Sequence, residues 1–180
     1  MRKWNAILTA AILVLFLLHG ILGGFQLLGL GSTALKAVAW INVGLILLHT
    51  LLGCKLTFDS LRVWKKTGVG YFRENKLFWT RRISGIAIMI LLAFHLLAFS
   101  STGDGGGYRL PWFSGFQLAT QLLLVAAIAL HVISNVRPML ISFWIKSLRQ
   151  WAVDILLVLS VLMVFMAAGF IVYYLRWNVF

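Results

Sequence analysis

His19, His49, His95 and His131 are the only four histidines in this 180-residue chain, and each lies inside a long apolar segment. An ionisable side chain at membrane depth is costly and marks a functional site by default. Imidazole offers three kinds of chemistry there: metal ligation, proton relay, or hydrogen-bonded packing. The acidic residues are few (Asp59, Glu74, Asp104 and Asp154), and none is close in sequence to a histidine. There is one cysteine, Cys54, and no His-x-x-x-His. Zinc and di-iron sites would want such partners, which argues against them here. Cys54 alone forms no intrachain disulfide and reads as a packing residue.

The elements that must carry these histidines are membrane spans. The chain is 62% hydrophobic, more than a soluble core needs. A spanning helix needs about 20 apolar residues to cross roughly 30 Å of hydrocarbon. Five stretches meet or approach this, about Ala6–Leu28, Leu35–Leu56, Ile83–Phe99, Phe113–Val136 and Ala152–Leu175. Helices satisfy their own backbone groups in lipid. We therefore expect an all-α integral membrane protein, one transmembrane domain over residues 1–180, with a four-helix bundle plus a fifth helix. Arg2 and Lys3 precede the first stretch as in a signal peptide, but its apolar run is too long for one, so it is expected to be a retained span.

Charge supplies the orientation. Of the 16 Lys and Arg residues, thirteen fall at the N-terminus, between spans two and three, and between spans four and five. Only Lys36, Arg109 and Arg176 fall on the other side. The positive-inside rule puts the N-terminus in the cytoplasm and the C-terminus outside. Trp4, Trp40, Trp79, Trp112, Trp151 and Trp177 stand at or beside span ends, where indole prefers the headgroup region. Short basic loops facing anionic lipid explain the net charge of +12, and no separate domain exists to bind nucleic acid. Between Thr57 and Thr80, Phe58, Leu61 and Trp64 suggest a helical extension along the interface, ended by Gly68 and Gly70. The glycine-rich Ser100–Pro111 loop reads as irregular, and no strand or Lys-Ser/Thr accompanies it to make a phosphate cradle.

Orientation turns the histidines into layers. At 1.5 Å per residue, His19 and His95 lie about 20 and 18 Å from the cytoplasmic edge, whereas His49 and His131 lie roughly 3–9 Å from it. His19 therefore matches His95, and His49 matches His131, with layers roughly 10–15 Å apart. Each pair comes from alternate spans, which suits diagonals of a four-helix bundle. Two such pairs of imidazoles without further ligands fit two haems, whose iron takes axial histidines. Gly23 and Gly53 follow His19 and His49 by one turn, where they either admit a flat macrocycle or pack helices. Lys55 and Arg137 follow His49 and His131 by six residues and either meet propionates or snorkel.

Arg81-Arg82-Ile83-Ser84-Gly85, with His95 ten residues after the glycine, resembles the Arg-x-Ser-Gly…His signature of cytochrome b membrane subunits of the succinate dehydrogenase and fumarate reductase family. The five spans with histidines on the first four resemble its di-haem members. The resemblance implies that His19 and His95 hold a distal haem b and His49 and His131 a proximal one. It also implies a cytoplasmic flavoprotein and an iron–sulfur subunit docked on the basic face, with electrons exchanged with a quinone, menaquinone by expectation. The dicarboxylate chemistry would lie in those partners. Quinone candidates at the outer side are Gln26, Asp104, Arg109, Trp112 and Gln117, and at the inner side Trp79, Arg82 and Ser84. Each of these also reads as solvation or interface anchoring. Some di-haem relatives carry acidic residues for proton movement, but the loop between spans one and two has Lys36 and no carboxylate. The stretch from His131 through Asn135, Arg137 and Pro138 to Lys146 is similar to other small bacterial membrane cytochromes, which keeps open a haem subunit of another reductase, hydrogenase or formate dehydrogenase. A different class, a histidine-based proton or metal transporter, would also place histidines in spans.

Overall fold

The computed structural model describes residues 2–29, 35–67, 76–99, 112–143 and 147–178, and every regular element among them is a helix. The helices are α1 (Arg2–Leu27), α2 (Leu35–Thr67), α3 (Lys76–Phe99), α4 (Gly115–Ser142) and α5 (Leu148–Asn178). All five are long and apolar enough to cross a membrane, so the chain is a multi-pass membrane protein. The N-termini of α1, α3 and α5 and the C-termini of α2 and α4 share one end of the bundle. We call it the basic end, and the other the far end.

The helices overrun the apolar stretches. α2 continues past Leu56 to Thr67, so Phe58 and Leu61 lie on the same unbroken helix as His49. Thr57 and Ser60 turn their hydroxyls back onto the Gly53 and Leu56 carbonyls, at 2.7 and 2.8 Å, which keeps polar residues compatible with helix. Gly68 and Gly70 and the Ser100–Pro111 loop lie outside the described residues. α3 begins at Lys76, seven residues before the expected Ile83. Its early turns are held because the side chains of Arg81 and Arg82 find carbonyl partners on neighbouring helices.

α4 begins behind a capping box, in which Ser114 Oγ accepts from the Gln117 amide and the Gln117 side chain accepts from the Ser114 amide. It then runs through Pro138 to Ser142, past the expected end at Val136. A proline inside a helix has no N–H for the carbonyl four residues back, here Ser134. Arg81 Nε donates to that carbonyl at 2.8 Å, so α3 satisfies the group that Pro138 leaves free. α1 ends at Gly29, which takes φ +89° and sends its amide to the Gln26 carbonyl at 3.0 Å.

α5 is an integral part of the bundle, not an addition beside it. It packs against both α1 and α4, while α3 lies along α4 and α2 along α1. One third of the apolar window of α5 is buried, against 6% for α2. Leu162, Met163 and Met166 make one core cluster with Phe16, Leu17, Val125 and Ile128 around them. Phe113, Phe170, Tyr173 and Leu27 make another toward the far end. The close approach of α1 and α5 needs Gly24, where a Cβ would overlap the Phe165 ring, and Gly20, where it would stand 2.9 Å from Met166 Sδ. α2 meets α3 and α4 through side chains: Thr50 Oγ1 lies 3.3 Å from Met89 Sδ, and His49 faces His131.

Candidate functional site

The four histidines meet as two pairs. The His19 and His95 ring centres are 5.9 Å apart, with planes 81° to each other. Those of His49 and His131 are 6.4 Å apart, with planes at 90°. Each pair joins a helix of the α1–α2 half to a helix of the α3–α4 half. Two imidazoles binding one metal from opposite sides have ring centres about 6 Å apart: two bonds of about 2 Å, plus about 1 Å from each nitrogen to its ring centre. A direct hydrogen bond of about 2.9 Å between ring nitrogens would draw the centres to about 5 Å. Both pairs therefore stand wider than a direct hydrogen bond and at a spacing that one shared metal would allow, which edge-to-face ring packing also spans. No group of three or more metal-ligating side chains occurs among the described residues, so a bare ion would be left under-coordinated. A haem supplies four ligands of its own and needs two axial ones, and the residues present fit it.

The two α3–α4 histidines are oriented reciprocally. His131, on α4, has Nδ1 3.0 Å from Ser84 Oγ on α3. Ser84 donates its hydroxyl to the Arg81 carbonyl at 3.2 Å, so it accepts from His131 Nδ1–H. His95, on α3, has Nδ1 2.7 Å from Gln121 Oε1 on α4. Both contacts place the proton on Nδ1 and leave the Nε2 lone pair for a metal, as ligating histidines require. Gly85 lets His131 approach, since a Cβ there would stand 3.4 Å from its Cε1. On the α1–α2 side, Nδ1 of His19 and of His49 is buried with no hydrogen-bond partner among the described residues.

The two pairs sit far apart along the helices. Ser84, level with His131, precedes His95 by 11 residues, and Gln121 precedes His131 by ten, which is about 15–17 Å of rise. Their surroundings differ. Gly23, one turn from His19, faces open space, whereas a Cβ at Gly53, one turn from His49, would meet the Arg82 guanidinium at 3.3 Å. Arg82 Nη1 donates to the Gly53 carbonyl at 3.1 Å, its guanidinium lies 5.0 Å from the centre of the Phe78 ring, and its Nε is buried without a partner. Thus Arg82 and Arg81 are both half-buried cations at the basic-end pair, while Lys55 and Arg137 are exposed.

Of the far-end quinone candidates, Asp104 and Arg109 lie outside the described residues, Trp112 is exposed, Gln26 is half-buried, and Gln117 serves the α4 cap. At the basic end, Trp79 packs edge-to-face on Phe78, and Ser84 and Arg82 have the partners given above. Sequence reasoning passed over Gln121 and Thr120, and gave Arg81 no role beyond its place in the Arg81–Gly85 motif. The signal for Gln121 was available, because a glutamine in the middle of the apolar Phe116–Val132 run needs a partner.

Fold and site together define a class: a five-helix, multi-pass membrane protein with two facing pairs of histidines. No family model, curated protein or solved structure matches the chain, so the assignment of function rests on this geometry.

Proposed function

We propose that this chain is a di-haem cytochrome b membrane anchor, resident in a bacterial inner membrane with its N-terminus in the cytoplasm. It carries electrons between a quinone pool and a cytoplasmic flavoprotein and iron–sulfur enzyme of succinate dehydrogenase or fumarate reductase type. The observation that carries this reading is the spacing of both pairs, 5.9 and 6.4 Å between ring centres, with no other ligating side chain grouped with them among the described residues.

His19 and His95 would hold one haem b and His49 and His131 the other, and two haems so placed supply one-electron transfer along the bundle axis. The protein's own part is to hold four imidazoles. Ser84 and Gln121 set the tautomers of His131 and His95. Arg82 keeps a cation beside the basic-end pair, with a buried Nε that has no acceptor among the described residues, which suits a propionate. The basic loops supply the docking face for an acidic partner surface and the orientation.

A reduced-minus-oxidised optical spectrum of the purified chain, with a haem count, tests the reading. Two low-spin haems b per chain are expected. A protein that takes up no haem overturns it, and proton or metal flux in vesicles would then support the transporter. Co-purification separates the dehydrogenase partner from a hydrogenase or formate dehydrogenase.

A further inference from the structure

Gln121 is the one polar side chain of the described residues with no exposure at all, in a helix that crosses the membrane. Such a group is retained only if its hydrogen bonds are made. They are made in one direction. Thr120 donates its hydroxyl to the Gln117 carbonyl at 2.8 Å. Its hydrogen is then spent, so the oxygen accepts from Gln121 Nε2 at 3.3 Å. With the amide nitrogen turned to Thr120, the amide oxygen is left facing His95 Nδ1 at 2.7 Å. An amide oxygen only accepts, so His95 must carry its proton on Nδ1.

The basic-end pair uses a hydroxyl in the corresponding place. Ser84 reaches His131 at 3.0 Å, longer than the glutamine contact, and Ser84 is itself held by a single bond to the Arg81 carbonyl. An amide carbonyl is a stronger and better-anchored acceptor than a hydroxyl. A stronger acceptor on Nδ1–H makes Nε2 more basic, and a more basic axial ligand favours the oxidised metal.

We propose that Gln121 is a positioning residue for the His19–His95 site, which fixes the His95 tautomer and lowers the reduction potential of the haem bound there. This rests on the di-haem reading. Gln117, Thr120 and Gln121 all belong to α4, so the acceptor for His95 of α3 is set before any cofactor arrives.

Three variants and one spectrum test it. Gln121→Leu keeps the volume and removes the acceptor. In the full-length purified protein, both haems should remain by count. The haem that is absent from His95→Ala should become easier to reduce by on the order of tenfold, about 59 mV for a one-electron couple. The other should not move. Gln121→Glu, whose carboxyl oxygen can still accept, should return the potential to the wild-type value or below it. If neither haem moves, if both move alike, or if the glutamate variant fails to restore, the proposal is overturned. Nitrogen-15 NMR of histidine-labelled wild-type protein reads the tautomer directly, with the His95 signal identified by its loss in His95→Ala. A protonated Nδ1 and a bare or metal-bound Nε2 are expected, and a protonated Nε2 overturns the proposal even where Gln121→Leu does not fold. A protein without haem but with protonated Nδ1 on His95 would sink the di-haem reading and the potential shift, and leave the positioning contact standing.

Discussion

The two histidine pairs place the same ring chemistry in unlike surroundings. The basic-end pair is crowded: Arg82 spans from α3 to the Gly53 carbonyl, Gly85 admits His131 against α3, and Arg81 is bound to α4 one turn away. The far-end pair has open space beside Gly23 and no described cation among its contacts, and its one strong polar partner is a fully buried amide. A cation near a metal centre favours its reduced form, and a strong acceptor on the ligand favours its oxidised form. On the proposed di-haem reading, the difference would let one bundle hold two chemically identical ligand pairs at unequal potentials by changing only what surrounds them. It also shows where rigidity lies. In both pairs the α3–α4 histidine is oriented by a neighbour, while Nδ1 of the α1–α2 histidine has none.

The largest expected effect tests whether the pairs are independent. His49→Ala should remove one haem of two and spare the one at His19–His95, and His95→Ala should do the reverse, read as a halved haem absorbance per chain. Loss of both in either variant would break the comparison, because the sites would then stand or fall together.

Next in size is the Arg81 contact, which exists only at the basic end. Arg81→Met leaves the Ser134 carbonyl without a donor and should cost about 1–3 kcal/mol, since an unsatisfied buried acceptor loses its full desolvation energy. Melting in detergent reads this as a lowered Tm. Pro138→Ala restores the helical N–H, so Arg81→Met should cost much less in that background, and a double-mutant cycle measures the coupling. Equal costs in both backgrounds would show that Arg81 does not serve the proline gap.

The flanking glycines sharpen the comparison further. Gly23→Ala enters open space and should stabilise α1 by about 0.5–1 kcal/mol through lower backbone entropy in the unfolded chain. Gly53→Ala must displace the Arg82 guanidinium and should lose that gain. Tm measured on the two variants side by side checks the sign. The smallest effect is expected at Lys55 and Arg137. Both are exposed, and Lys55→Gln or Arg137→Gln should stay within about 0.5 kcal/mol and keep both haems.

The helix ends show why parts of the fold were illegible. Hydropathy marks where lipid contacts the chain, and α2, α3 and α4 continue through charged or proline-containing turns that it scores as loop. Lys76–Arg82 stays helical because Arg81 and Arg82 reach carbonyls on other helices. No local pattern contains those carbonyls. Gln117, one of the quinone candidates, turned out to close its own helix cap, a role that Ser-x-x-Gln spacing does carry in the sequence.

By itself the sequence determined five membrane-spanning helices and the relative depth of four histidines, hence which two could meet. Depth is chain length multiplied by helical rise, and both are local quantities. The tertiary structure alone decided the facing of the rings at 5.9 and 6.4 Å, the gift of Gln121 to His95 and Ser84 to His131, the use of Arg81 to satisfy the carbonyl freed by Pro138, and the central place of α5. These depend on how each helix is rotated about its axis and what it lies against. That is set by packing between residues distant in the chain, such as Gly24 against Phe165, and not by any run of residues read in order.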